Sequence, residues 1–422
     1  VPTRLPPVEL MEQAEIRTVS LPNGLVLLVE PKPDVQSAAL SFMVPAGSIY
    51  EPHGRAGTAS LLSDLITRGA GDRDSRQLVA AFDALGVQRS ETVGWNFISF
   101  SAATLADNLA PALELYADLV LRPRLPEDQF SAALAGVEQG LLSIEDEPQR
   151  KVLIELRRRC YDAPWGLPTE GELADLPNLT HAGVRDHYRR CFHPNGTILG
   201  IAGNVDPDRV RDVVERHFGA WSTGEAPAVE RGTRGPAVDH IHQESAQTQI
   251  GIAYDAVPYG HDDYYAAWAA VGVLSGGSSA RLFTEVRERR GLCYSVYATL
   301  NSLLTEGRVL AYAGTTVERA QETLDVMLRE MARLADGIGQ DELDRCKARA
   351  KSSLIMQQES TASRAGSIAR DWFHLGRVVT LDEVRDKVNA LTVEQVLDYS
   401  RRHPPRDLTV LTIGPEPLHM TN

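Results

Sequence analysis

Cysteine is scarce in this chain of 422 residues. Cys160, Cys191, Cys293 and Cys346 are all it has, no two are spaced as CxxC, and none falls into a zinc-ligand pattern. A cysteine-based metal site is excluded, and four small buried or partly buried thiols are expected instead. Long hydrophobic runs are missing too. None approaches the roughly 18 apolar residues that a membrane span requires, and residues 1–7 have no signal-like apolar core. Because the first residue is Val1 rather than Met, a mature form whose leader has been cut away fits as well. A cytoplasmic location is expected, with the periplasm after leader removal as the alternative. Positive charge is in deficit, 43 Lys and Arg against 57 Asp and Glu, for a net charge of −14. That balance argues against nucleic acid and against an anionic membrane surface as general partners.

What is present reads as a soluble globular protein, 43% hydrophobic and 24% charged. The length suits two domains of about 200 residues each better than one core. Internal similarity supports the division. Residues 104–141 and 316–354 both read as helix, connection, helix, at an offset of about 212 residues. His187-Tyr188-Arg189-Arg190 ahead of a strand over residues 197–203 is echoed by Asp398-Tyr399-Ser400-Arg401 ahead of residues 408–414. The chain is a duplication. Between the copies, residues 222–236 are rich in Gly, Pro and charge and have no apolar period, so they read as a linker. The expected organisation is an N-terminal half over 1–221, a linker over 222–237 and a C-terminal half over 238–422. Short alternating strands mix with long amphipathic helices in no steady alternation. That pattern points to the α+β class, two sandwich halves with helices on one face of a largely antiparallel sheet.

Polar clusters outside one region carry little chemistry. His240 and His242 share a strand face but lack a third ligand nearby, and His181 and His187 are six apart with no Glu between them in metalloprotease spacing. No Gly-x-Ser-x-Gly elbow surrounds Ser60 or Ser63. Gly276-Gly277-Ser278-Ser279 lacks the Lys-Ser/Thr ending of a phosphate-binding loop.

The exception is Gly57-Thr58-Ala59-Ser60-Leu61-Leu62-Ser63-Asp64-Leu65-Ile66-Thr67-Arg68-Gly69, which reads as a helix. Ahead of it stand Val44-Pro45-Ala46-Gly47-Ser48, Glu51 and Gly54, and behind it Ser75, Leu78 and Phe82-Asp83-Ala84-Leu85-Gly86-Val87. In the second half come Leu274-Ser275-Gly276-Gly277-Ser278-Ser279-Ala280-Arg281-Leu282-Phe283 and Val286-Arg287-Glu288-Arg289-Arg290-Gly291-Leu292-Cys293-Tyr294. Over nearly its whole length the chain resembles the pitrilysin and insulinase-type zinc peptidases. In that family the first helix carries His-x-x-Glu-His, two zinc ligands one turn apart and a glutamate that activates water. Here Ser60 and Asp64 stand at the histidine positions and Ser63 at the glutamate position.

The resemblance implies the rest. Two related halves would close like a clamshell around a cavity. Glu145, seven residues after Glu138, stands where the family's third ligand would be, as a relic or as part of a solvated acidic helix face. Arg287 and Tyr294 match an Arg/Tyr pair that reaches the substrate across the cavity, with Gly276, Gly277 and Ser278 shaping the cavity wall. Bacterial and mitochondrial two-chain members divide the labour, one subunit keeping His-x-x-Glu-His and the other keeping the Arg and Tyr. This chain has the second profile. The expectation is a non-catalytic subunit, inactive alone, with no cofactor of its own. Its partner would be a homologous zinc-bearing chain and peptides its substrates, with a homodimer one form open to the chain when alone. The alternative is a structural or interaction protein, like the peptidase-derived core subunits of respiratory complexes.

Overall fold

The computed structural model describes residues 15–225 and 228–420. Eight strands belong to the first half: β1 (Arg17–Ser20), β2 (Val26–Pro31), β3 (Ser37–Val44), the short pair β4 (Gly69–Ala70) and β5 (Arg73–Asp74), β6 (Gln88–Val93), β7 (Ile98–Leu105) and β8 (Ile198–Gly203). Its helices are α1 (Thr58–Leu65), α2 (Ser75–Ala84), α3 (Leu109–Leu121), α4 (Phe130–Glu145), α5 (Pro148–Cys160), α6 (His181–Cys191) and α7 (Pro207–Phe218). The second half has β9 (Val238–His242), β10 (Gln247–Ala256), β11 (Cys293–Ser302), β12 (Gly307–Thr316) and β13 (Thr409–Gly414). With them run α8 (Tyr264–Ser275), α9 (Ala320–Ala332), α10 (Gln340–Glu359), α11 (Thr361–Leu375), α12 (Leu381–Ala390) and α13 (Val393–Arg402). None of the described helices is long and apolar enough to cross a membrane.

The duplication is visible in the topology. One sheet runs β1-β2-β8-β3-β7-β6 and the other β9-β13-β10-β12-β11. Apart from β1 the two orders correspond strand for strand. In each, one pair is parallel (β2 with β8, β9 with β13) and the remaining corresponding pairs are antiparallel. Among the described residues no strand pairing crosses between the sheets.

Side-chain alternation gives the inner strands of each sheet two apolar faces. In the first sheet Leu27, Val29, Leu40, Phe42 and Val44 pack with α1, α3 and α7. The opposite face, through Leu28, Ala39, Ile198 and Ala202, packs not against its own half but against Ala365, Ile368 and Ala369 of α11. The second sheet mirrors this, with Ile250, Ile252 and Val410 facing its own helices and Ala253, Leu411 and Ile413 facing Val152, Leu156 and Cys160 of α5. Helices on one face, the sequence expectation, therefore holds for each half's own helices. The second face is covered by one helix exchanged from the other half. Gly200 lets α11 settle on β8, since a Cβ there would stand 2.4 Å from the carbonyl oxygen of Ala365.

Each exchanged helix also carries an arginine to a carboxylate of the other half. Arg364 of α11, 2% exposed, donates from Nε and Nη2 to Glu30 of β2, both at 2.8 Å to Oε2. Arg159 of α5 donates from Nε to Asp239 of β9 at 2.8 Å and also binds Glu155. β2 and β9 are the corresponding strands, so the two halves are locked by related ion pairs. At the end of α5, Arg308 of β12 donates to the carbonyl of Cys160 at 3.2 Å, a cation where the helix dipole favours one.

Candidate functional site

The start of α1 is held by a residue eight positions upstream of Ala59. Glu51 Oε1 accepts from the backbone amides of Gly57 (3.1 Å) and Ala59 (2.7 Å), satisfying donors that a helix N-terminus leaves open. Burial pushes the Glu51 carboxyl up to about 8, against the pull of these two amides.

Along α1, Ser60 donates from Oγ to the carbonyl of Thr169 at 3.1 Å, so the side chain ties down a loop. Asp64 pairs with Arg68 one turn on, Nη2 to Oδ2 being 3.1 Å. Ser63 is buried. Glu145, the exposed last residue of α4, accepts from Lys151 Nζ at 2.6 Å, and Lys151 reaches Gln243 of the other half at 3.2 Å. Both carboxylates thus have an ammonium or guanidinium from the same chain as counter-charge. The set comprises two hydroxyls and two acids, with no imidazole. Among the described residues no group of three or more His, Cys, Asp or Glu is arranged to hold a metal ion. These residues do not fit a zinc ion.

Arg287 and Tyr294 are brought together by two irregularities of the backbone. Arg287 sits in a π-helical turn, Phe283–Glu288, in which Arg289 N reaches back five residues to Thr284 O at 2.9 Å. Tyr294 is the extra residue of a β-bulge, because Cys293 faces Thr315 and Ser295 faces Gly314. β11 is an edge strand, and the bulge leaves Tyr294 83% exposed. The Arg287 guanidinium lies 4.8 Å from the ring centroid of Phe283 and 4.8 Å from that of Tyr294. Stacking between two rings fixes the guanidinium plane without using its N–H groups. Among the described residues Arg287 has no carboxylate partner and no side-chain hydrogen bond. Burial pushes the neighbouring Cys293 thiol up to about 11, which keeps it protonated and inert.

No hydrogen bond, ion pair or ring contact among the described residues joins α1 directly to this pair. A relay runs between their neighbourhoods instead. Ser60 binds Thr169, whose hydroxyl meets Glu170 (3.1 Å), and Glu170 pairs with Arg150 (2.9 Å) at the start of α5. The preceding Gln149 donates to the Tyr297 hydroxyl at 2.9 Å on β11, three residues beyond Tyr294.

Comparison with known proteins bears on the family and the fold. Residues 26–171 match the family described as insulinase, peptidase family M16, and residues 178–350 match the peptidase M16 inactive domain. The chain belongs to the M16 peptidase family. It does so without the family's His-x-x-Glu-His. An uncharacterized zinc protease of Bacillus subtilis is 26% identical over 403 residues, covering 95% of this chain and 98% of that protein. One of Mycobacterium tuberculosis is 28% identical over 409 residues, covering 94% and 93%. Among solved structures, the peptidase M16 inactive domain from Pseudomonas fluorescens has a TM-score of 0.88 at 23% identity, over 96% of this chain and 99% of that one. A protease from Helicobacter pylori has 0.87 at 20% identity, over 94% and 99%.

The other sequence candidates in this M16 chain have ordinary roles. His240 Nδ1 meets the Thr412 hydroxyl at 2.9 Å, and His242 Nδ1 donates to the Pro415 carbonyl at 3.2 Å. His181 donates to the Leu125 carbonyl and the buried His187 to that of Ala46, at 2.7 and 2.9 Å. Glu138 is exposed on α4. Gly276 and Gly277 form part of the wall of a cavity in the second half, while Ser278 is exposed and outside that wall. Sequence reasoning gave no functional role to Glu51, whose two amide acceptances follow from the loop's path, or to Lys151, which nothing in its local pattern marks out.

Proposed function

We propose that this chain is the non-catalytic subunit of a two-chain zinc peptidase. A homologous partner bearing His-x-x-Glu-His would carry the zinc and the hydrolytic step. This chain, inactive alone, would help to bind and orient the peptide. The observation that carries the reading is the Arg287–Tyr294 pair, a stacked guanidinium with free donors beside an exposed phenol on a bulged edge strand. Both groups can donate to a peptide carbonyl, and a donor aimed at a developing oxyanion is worth about 3–4 kcal/mol of barrier.

The state of the emptied site supports a division of labour, because Asp64 of α1 and Glu145 of α4 are neutralised internally and Ser60 is engaged by the loop at Thr169. An extended peptide would gain most of its affinity by adding as a strand to a sheet edge of the partner, a mode that asks little of sequence. Reconstitution tests this reading. The chain is mixed with the zinc-bearing homologue from the same source, and complex formation and peptide hydrolysis are measured separately. Hydrolysis that rises on mixing supports the proposal; a complex whose rate equals that of the partner alone makes this chain a scaffold.

A further inference from the structure

A cavity of about 350 Å³ opens along α8, between it, the loop after it, β11 and α10. Its size lies in the range of small-ligand sites. Tyr264, Trp268, Val271 and Leu300 supply apolar surface, and α10 brings Arg345 and Arg349 to it one turn apart. Two nearby charges are already engaged. Arg281 binds Glu342 at 2.7 Å, and Arg345 binds Asp341 at 2.7 Å. Arg349 differs, having no carboxylate partner and no side-chain hydrogen bond among the described residues.

Gly277 makes room for that guanidinium. Its φ of +156° is a conformation L side chains rarely adopt, and a Cβ there would stand 3.1 Å from Arg349 Nη1. Tyr264 and Trp268 also line a second cavity of about 250 Å³, where Arg370 stands beside Asp371 and makes no close ion pair among the described residues. The unpaired guanidinium of Arg349 beside the Tyr264 and Trp268 walls makes this groove complementary to an anion with apolar neighbours.

We propose that the groove binds an acidic peptide, a carboxylate of which pairs with Arg349 while an adjoining apolar side chain lies on Tyr264 and Trp268. The choice of a peptide rests on the function proposed above; the anion and apolar features do not. The carboxylate could come from an Asp or Glu side chain or from a free C-terminus.

Calorimetry on the isolated chain tests this without any partner. Three pentapeptides are titrated: a capped Leu-Glu-Phe-Glu-Leu, its capped Gln analogue, and the Gln analogue with a free C-terminal carboxylate. The wild-type chain should bind the first or the third, and Arg349→Gln should weaken that binding about tenfold or more, the loss of a charge-assisted hydrogen bond. The arm that responds identifies the carboxylate. Arg349 is exposed and unpaired, so the variant's thermal midpoint should match wild type and show that folding is intact. Equal binding by Arg349→Gln, equal binding of the capped Gln peptide, or no binding of either carboxylate peptide overturns the proposal. Displacement by inorganic phosphate at equal concentration would also overturn it, in favour of a general anion site. A reconstituted peptidase that depends on Tyr294 would leave the function standing even if Arg349 proves irrelevant.

Discussion

The guanidinium of Arg287 lies 4.8 Å from the ring centroid of Tyr294, although one residue sits in a π-helical turn and the other in a bulge of an edge strand. A six-residue π-turn turns Arg287 toward the strand, and one extra residue in β11 puts Tyr294 out of the ladder.

Turnover should depend on this pair more than assembly does. In a complex with the zinc-bearing partner, Tyr294→Phe keeps the ring that stacks on Arg287 and removes one donor. It should lower kcat by about 100-fold or more. Arg287→Ala should reduce both substrate binding and turnover, and neither change should alter complex formation, which a broad surface governs. Full activity in the double variant would assign the pair a purely structural role.

Metal content separates this chain from a self-sufficient enzyme. Elemental analysis of the purified isolated chain should find no stoichiometric zinc, and peptide hydrolysis should be absent. One tightly held zinc per chain with chelator-sensitive activity would contradict the reading of Ser60, Ser63, Asp64 and Glu145.

The two inter-half ion pairs should differ in worth. Glu30→Gln leaves Arg364 buried and charged with no carboxylate opposite it, only the Ser367 hydroxyl and an amide oxygen, at a cost of up to about 3–5 kcal/mol. Asp239→Asn should cost much less, since the Asp239 side chain is 33% exposed and Arg159 keeps Glu155. Denaturant unfolding of both variants checks the order; a larger loss for Asp239→Asn would contradict the burial argument.

Acid should destabilise the chain through His187. Burial pushes its imidazole down to about 4, so between that value and the ordinary 6.5 the unfolded chain binds the proton and the folded one does not. Stability from this group is complete above pH 6.5 and falls as the pH drops toward 4, by up to about 3 kcal/mol. His187→Gln can still donate to the Ala46 carbonyl and has no such titration. Its unfolding free energy should therefore decline less between pH 7 and 4 than that of wild type, and parallel declines would remove His187 as the cause.

Part of this was legible in the residues. The echo of 187–203 at 398–414 foretold two sheets of one topology, because a repeated alternation of apolar residues rebuilds the same strand pairing. The motif around Arg287 and Tyr294 singled out both residues, and the structure sets their side chains side by side. The exchange of α5 and α11 could not, since their apolar faces fit any sheet with a small-residue surface. What selects the partner is Gly200, Ala39 and Ala202 on one sheet and Gly251 on the other, residues brought together from distant parts of the chain.

The sequence by itself determined that two related halves exist and that no zinc helix is intact, because both follow from residue identity at fixed spacing. It also determined the net negative charge. Tertiary structure alone decided that each half covers a face of the other, that Lys151 and Arg68 neutralise the acids of the emptied site, and that Arg349 is left without a partner among the described residues. Those are pairings between side chains remote in sequence or one turn apart with several possible mates, and only the packed fold fixes which distances close.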